Sequence, residues 1–217
     1  MKLRPMRLRT LLILMVPIAL FLTVATRARW ARTMANQAQC HSNLAFLNIQ
    51  LSNYRLNHGR YPPAVFPGRR SATPHSWRAI VHAESHVDDF AAVYNLFQPW
   101  NSPGNRKAAD DTPRVFGCRN NHTHGSRAAN YVAVIDGDVS TLDLAAAIPP
   151  GAPEEARQVL LVEYPNSDIA WTEPRDLDVT ELSRLGPGSD PGGIGVLFAD
   201  GSFRRLRRED IPVLFGR

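Results

Sequence analysis

Four acidic side chains, Asp168, Glu173, Asp190 and Asp200, are of a type and placement that could do chemistry. They lie in the C-terminal part of the chain, in loops that could gather at one end of a sheet. Such a set suits a hard cation such as Ca2+, which takes roughly six to eight oxygens. A competing reading gives each acid a local task. Asp200 caps a hairpin turn, Asp190 precedes Pro191 in a loop, and Glu173 pairs with Arg175 or another arginine. A second pattern, Cys118, His122 and His124, reads C-x3-H-x-H and suggests zinc. A structural zinc site wants a full tetrahedral set of ligands at recognisable spacing. No further ligand is evident there, and the surrounding NNHTHG reads as polar loop. The sequence contains no G-x-S-x-G, P-loop or H-E-x-x-H motif. The expectation is a protein that is not an enzyme and has no cofactor, Ca2+ being the one ion to consider.

Aromatic and basic residues offer binding rather than catalysis. Trp77, Trp100 and Trp171 could form a glycan- or peptide-binding surface, although tryptophans more often pack a helix on a sheet or plug loops. Arg204-Arg205-Leu206-Arg207-Arg208 could touch anionic lipid or a cell-wall polymer. More often such a run is a solvated edge strand guarded against edge pairing. The two cysteines, Cys40 and Cys118, can form a disulfide if the domain lies outside the cytoplasm. Such a bridge would close a long loop and contribute on the order of 4 kcal/mol in the chain-entropy model. The alternative is two unrelated buried thiols.

The elements that must position these residues begin with the run Leu11 to Ala25, LLILMVPIALFLTVA, which carries no charge. Lys2, Arg4, Arg7 and Arg9 precede it, and Arg27, Arg29 and Arg32 follow it. Its length sits between a spanning helix, roughly 17–25 residues, and a cleaved signal core. Ala25, Ala28 and Ala31 are separated by arginines, which suits a stop-transfer flank better than a peptidase site. The reading is a signal anchor spanning about residues 10–26 within a basic N-terminal region, 1–32, with an extracytoplasmic domain over 33–217. The heavier basic flank on the N-terminal side places that terminus in the cytoplasm.

From Ala28 to about Asn57 the chain has no Gly or Pro, and Leu44, Leu47, Leu51 and Tyr54 recur at helical spacing. His58-Gly59 ends that helix. Short helices are expected over Ser76–Ala83 and Asp88–Phe97, and a polar, mobile stretch over Arg106–Thr112. Strands are expected at Arg114–Cys118, Asn130–Ile135 and Gln158–Tyr164, with a hairpin of Gly193–Phe198 and Ser202–Leu206 about Asp200-Gly201. The class is α+β, a long helix followed by an antiparallel sheet with loop-rich insertions.

Charge excludes one class of partner. Residues 1–32 hold seven Lys/Arg and no Asp/Glu, which leaves 18 basic against 20 acidic residues in the remainder. The pI of 9.7 therefore belongs to the flanks of the apolar run. The folded part has no positive field for phosphates, and nucleic acid is not an expected partner.

Cys40-His41-Ser42-Asn43-Leu44, His58-Gly59-Arg60-Tyr61-Pro62-Pro63, Ser76-Trp77-Arg78 and Tyr94-Asn95-Leu96 occur in that order. Pro99-Trp100-Asn101-Ser102-Pro103, Phe116-Gly117-Cys118 and Asn130-Tyr131-Val132-Ala133-Val134 follow. Ser167 to Leu177 and Gly193 to Ser202 complete the series. In order and number these stretches resemble the prepilin-like membrane-anchored proteins of bacteria. The resemblance is to a family of unknown function among them that carries a C-terminal H-x9-D-G signature and is related to the type II secretion pseudopilins. It implies a pilin-like fold, attachment to the inner membrane, and association with itself or with other pilin-like proteins. It also adds Ca2+ to the reading of Asp168, Glu173, Asp190 and Asp200, since related pseudopilins bind calcium. The chain departs from the family in two places. No Gly followed by a Phe-Thr-Leu-x-Glu type run precedes Leu11, and no acid occurs before Glu84. The resemblance therefore does not carry prepilin processing or filament assembly over to this chain. The signature histidine is replaced, so the motif Asp190, Asp200, Gly201 reads D-x9-D-G.

Taken together, the expectation is a single-pass, membrane-anchored, pseudopilin-like envelope protein without catalytic activity, anchored in lipid through residues 10–26. The runner-up is an extracytoplasmic module for polysaccharide or peptide that uses the loops around Trp100, Trp171 and Asp200. A hydrolase is the disfavoured third.

Overall fold

One helix, α1 (Leu8–His58), runs through the first quarter of the chain and changes character along its length. The computed structural model describes residues 8–66, 73–85, 89–118, 127–165, 167–184 and 193–216, the side chains of 8–14, 183 and 184 excepted. From Met15 to Gln39 no side chain of α1 is buried, and the first that is buried is Cys40. Beyond it Leu44, Leu47, Leu51 and Tyr54 are buried, the stripe that the three-and-four spacing predicts. Gly59 stops the helix in a left-handed conformation, φ 74°, and its N–H donates to the Arg55 carbonyl at 2.8 Å.

The stripe lies on a four-stranded antiparallel sheet built from β3 (Tyr131–Val132), β6 (Val159–Glu163), β8 (Ile194–Phe198) and β9 (Phe203–Leu206), in the order β3-β6-β8-β9. Both faces of this sheet are covered. On the α1 side Leu160, Leu161 and Leu197 join the helix stripe. On the other side Val132, Val159, Val162, Ile194, Val196 and Phe198 pack under the 3-10 turns at Val179–Arg184 and Pro212–Phe215. A β-bulge between Val159 and Leu161 explains why neighbours Leu160 and Leu161 share a face. An extra residue breaks strict alternation, which turns both leucines towards the helix.

The helix comes very close to β8. A Cβ placed on Gly195 would lie 3.0 Å from Leu44 Cδ1 and 3.1 Å from Glu163 Oε2, so only a residue without a side chain fits under α1 there. The hairpin of β8 and β9 turns at Asp200-Gly201. Gly201 takes φ 79° and sits against Asn48 of α1. Asp200 Oδ1 accepts from the Ser202 N–H at 2.8 Å, the local capping that a turn aspartate performs.

The remaining short elements are β1 (Val65–Phe66) with β2 (His75–Ser76), α2 (Trp77–Ser85), α3 (Phe90–Val93) and α4 (Pro103–Ala108). A small side sheet follows, from β4 (Val134–Asp136), β5 (Val139–Ser140) and β7 (Leu177–Asp178), in which β4 and β7 run parallel. Last is α5 (Thr141–Ala146), which opens on a capping box between Ser140 and Asp143.

Several expected elements differ. Arg114–Cys118 is not a strand. Arg114–Phe116 is a 3-10 turn, and the carbonyls of Arg114 and of Gly117 just beyond it accept from Asn43 Nδ2 at 3.0 and 2.8 Å, so that α1 takes the place of a strand partner. The expected strand Asn130–Ile135 breaks at Ala133, because the Ala133 N–H donates to Asp176 and the Val134 N–H to Thr141, and the chain changes sheets. Arg106–Thr112 is not mobile coil at its start. Ser102 caps α4 by accepting from the Asn105 N–H. The expected helix over Asp88–Phe97 shrinks to one turn at Phe90–Val93, since the Asn95 backbone is taken by the Asn105 side chain. The class is α+β, with a long N-terminal helix and mainly antiparallel sheets.

Candidate functional site

Among the described residues the most deeply buried charge is at Arg78, in the first turn of α2. Its Nη1 lies 2.6 Å from Asp176 Oδ1, with 0 % and 1 % of the two side chains exposed. Its other nitrogens donate to the carbonyls of Trp171, Glu173 and Arg175 at 3.2, 3.2 and 2.7 Å. Asp176 also accepts from Trp77 Nε1 and from the Ala133 N–H. Burial pushes the Asp176 carboxyl up, and Arg78 with the N–H donors pulls it back. Each donor and acceptor here ends on another part of the fold. The cluster ties α2, the loop 171–176 and the β3–β4 junction together and leaves no lone pair facing solvent. Its residues stand in the stretches that carry the family resemblance, but sequence reasoning assigned Arg78 and Asp176 no role. An arginine set in the apolar run Trp77-Arg78-Ala79-Ile80-Val81 was the available signal.

Three of the four acids singled out from the sequence lie among the described residues. Asp168 and Glu173 both pair with Arg175, at 3.2 and 2.8 Å, so one guanidinium already engages both carboxylates. Asp200 is exposed in the β8–β9 turn. Asp190 lies outside the described residues, as do His122 and His124 of the C-x3-H-x-H pattern. Among the described residues the potential metal ligands that come together are instead Cys40, Cys118 and Glu163. Cys40 and Cys118 are joined in a disulfide, Cα to Cα 5.4 Å, that pins α1 to the 3-10 turn. Disulfide sulfurs offer no thiolate. Glu163 accepts from the Gly195 N–H at 3.0 Å and lies 3.6 Å from Arg205. The donor set does not suit a metal ion.

The tryptophans divide. Trp77 and Trp171 are fully buried, within a cluster of rings that includes Phe90 and Phe116. Trp100 is half-buried and borders a groove of about 360 Å3 with Asn101, Arg106, Ala109, Arg127, Ala170 and Thr172. Arg127 pairs with Asp110. Arg204 and Arg205 of the arginine run lie on β9, at the edge of the four-stranded sheet, and Arg207 and Arg208 lie just beyond it. There Arg204 covers the Phe198 ring and Arg205 donates to the Gly193 carbonyl.

A second candidate surface is the outer part of α1. Val16, Leu20, Phe21 and Val24 are exposed, Phe21 at 71 %. Among the described residues no helix is long and apolar enough to cross a membrane. Comparisons with protein-family models, with curated proteins and with solved structures return no match.

Proposed function

We propose that this chain is a non-catalytic, pseudopilin-like protein of the bacterial envelope, held in the inner membrane by the first half of α1 with its folded domain outside the cytoplasm. The observation that carries this is the change of character along one unbroken helix. Its second half is buried on a sheet, and residues 15–26 of its first half carry no charge and bury no side chain among the described residues. An exposed apolar surface of that extent marks a lipid or protein contact. The apolar run begins at Leu11, ahead of the first described side chain, so its full length exceeds the described part. The Cys40–Cys118 disulfide supports an oxidising compartment. The polar clusters among the described residues support a structural rather than catalytic role, since Arg78, Asp176, Glu173 and Arg175 are occupied with one another or with backbone.

The test is fractionation of cells followed by an alkaline carbonate wash and an intact-mass measurement. The full chain should stay in the membrane pellet with its N-terminus intact. The double variant Leu20→Lys, Phe21→Lys should move it to the soluble fraction. Wild-type protein that washes off, or that is cleaved after Ala25 and soluble, overturns the anchor.

A further inference from the structure

We propose that the groove beside Trp100 binds an acidic saccharide, with the indole as a stacking platform and Arg106 and Arg127 holding the carboxylate. This stands independently of the membrane anchor.

The groove is a built feature. Its outer wall is the turn from Pro99 to Ser102, and that turn is held from beneath by Asn105, a fully buried side chain. Asn105 Nδ2 donates to the carbonyls of Asn95 and Pro99 at 2.9 Å each, and Asn105 Oδ1 accepts from the Asn95 N–H at 2.7 Å. The inner wall is held by Trp171, whose Nε1 donates to the Ala109 carbonyl at 3.2 Å and whose backbone N–H donates to the Arg127 carbonyl at 2.8 Å. The backbone that carries Trp100 is therefore held and its side chain is half-exposed, while Trp77 and Trp171 are spent in the core. A half-exposed indole at the lip of a groove offers a stacking surface to the flat, weakly apolar face of a ring.

Charge narrows the class. Two arginines line the groove. Asp110 neutralises Arg127, but the Arg106 guanidinium is exposed and has no ion-pair partner among the described residues. The groove thus keeps one guanidinium without an ion pair among the described residues, and a second, partly exposed one that Asp110 shares. Guanidinium recognises a carboxylate through paired hydrogen bonds. Asn101 and Thr172 add an amide and a hydroxyl suited to sugar hydroxyls. About 360 Å3 is within the range of small-ligand sites. A ring face, a carboxylate and hydroxyls together describe a uronic acid unit.

The test is calorimetric titration of the full chain in detergent with tetragalacturonate, beside maltotetraose as the neutral match and inorganic phosphate as the bare anion. Tetragalacturonate should bind saturably, and maltotetraose and phosphate at least about tenfold more weakly. Trp100→Ala and Arg106→Gln should each weaken tetragalacturonate by about tenfold or more, while Arg204→Gln on β9 should not. Arg106 is exposed, so Arg106→Gln reports on the groove even if Trp100→Ala disturbs the turn. No saturable binding of tetragalacturonate, equal binding of maltotetraose or phosphate, or full retention in Arg106→Gln overturns the proposal.

Discussion

Arg78 and Asp176 show how much one residue pair can hold. The pair is enclosed, and hydrogen bonds to five further groups fill the guanidinium and carboxylate. Replacing one partner leaves a buried charge without its counterion, which costs about 3–5 kcal/mol, whereas replacing both with apolar groups costs less. Arg78→Met should therefore lower the urea midpoint strongly, and adding Asp176→Leu should restore part of the loss. A second residue reports pH. His75 is buried between the Tyr94 hydroxyl, 2.9 Å from Nδ1, and the Leu96 carbonyl, 3.2 Å from Nε2. Burial holds its imidazole below the ordinary range, with the Leu96 carbonyl opposing. The unfolded chain takes up a proton near pH 6.5 that the folded state refuses, so stability is full above about pH 6.5 and falls as pH drops below it. The melting temperature should decline from pH 7 to pH 5, and His75→Gln should flatten that part of the decline.

Among elements, the contact of α1 with β8 decides the fold. Helix and strand meet where Gly195 offers no side chain, and the Phe203 ring lies 3.0 Å from where its Cβ would be. Gly195→Val would force Leu44 and Phe203 aside and cost about 1–3 kcal/mol of overpacking. Chemical denaturation checks it, and an unchanged midpoint would mean that α1 has room to shift. The same helix is held at both ends of its buried half. The disulfide fixes Cys40, and the Arg55–Glu155 pair at 2.6 Å fixes the other end, with Arg55 also donating to the Ile148 carbonyl.

At the scale of the whole molecule, one rod carries one domain. From Leu8 to Gln39 the helix rises roughly 45–50 Å at about 1.5 Å per residue, with no buried side chain among those described. Its ordering there depends on what surrounds it, because an isolated helix gains little from propensity alone. A chain lacking residues 1–33 should fold with a stability within about 1 kcal/mol of the full chain. Equilibrium unfolding of the two proteins checks this. A large loss would show that the outer helix supports the domain directly.

Local features were legible without the fold. The Leu44–Tyr54 stripe, the stop at Gly59, the hairpin at Asp200-Gly201 and the α+β class all follow from periodicity and turn chemistry, which act over a few residues. The turn role of Asp200 and the pairing of Glu173 with Arg175 are equally local. What needed the tertiary structure is long-range. Arg78 meets Asp176 across a sequence separation of 98 residues, and Cys40 meets Cys118 across 78. Arg114–Phe116 is a turn because Asn43, on a distant helix, takes its carbonyls. The strand after Asn130 breaks because Asp176 and Thr141 claim two of its N–H groups. Trp100 stands out from the other two tryptophans only once the chain has closed around them. Short-range patterns specify which elements form, and contacts between distant parts of the chain select which polar groups are buried and which side chains face solvent.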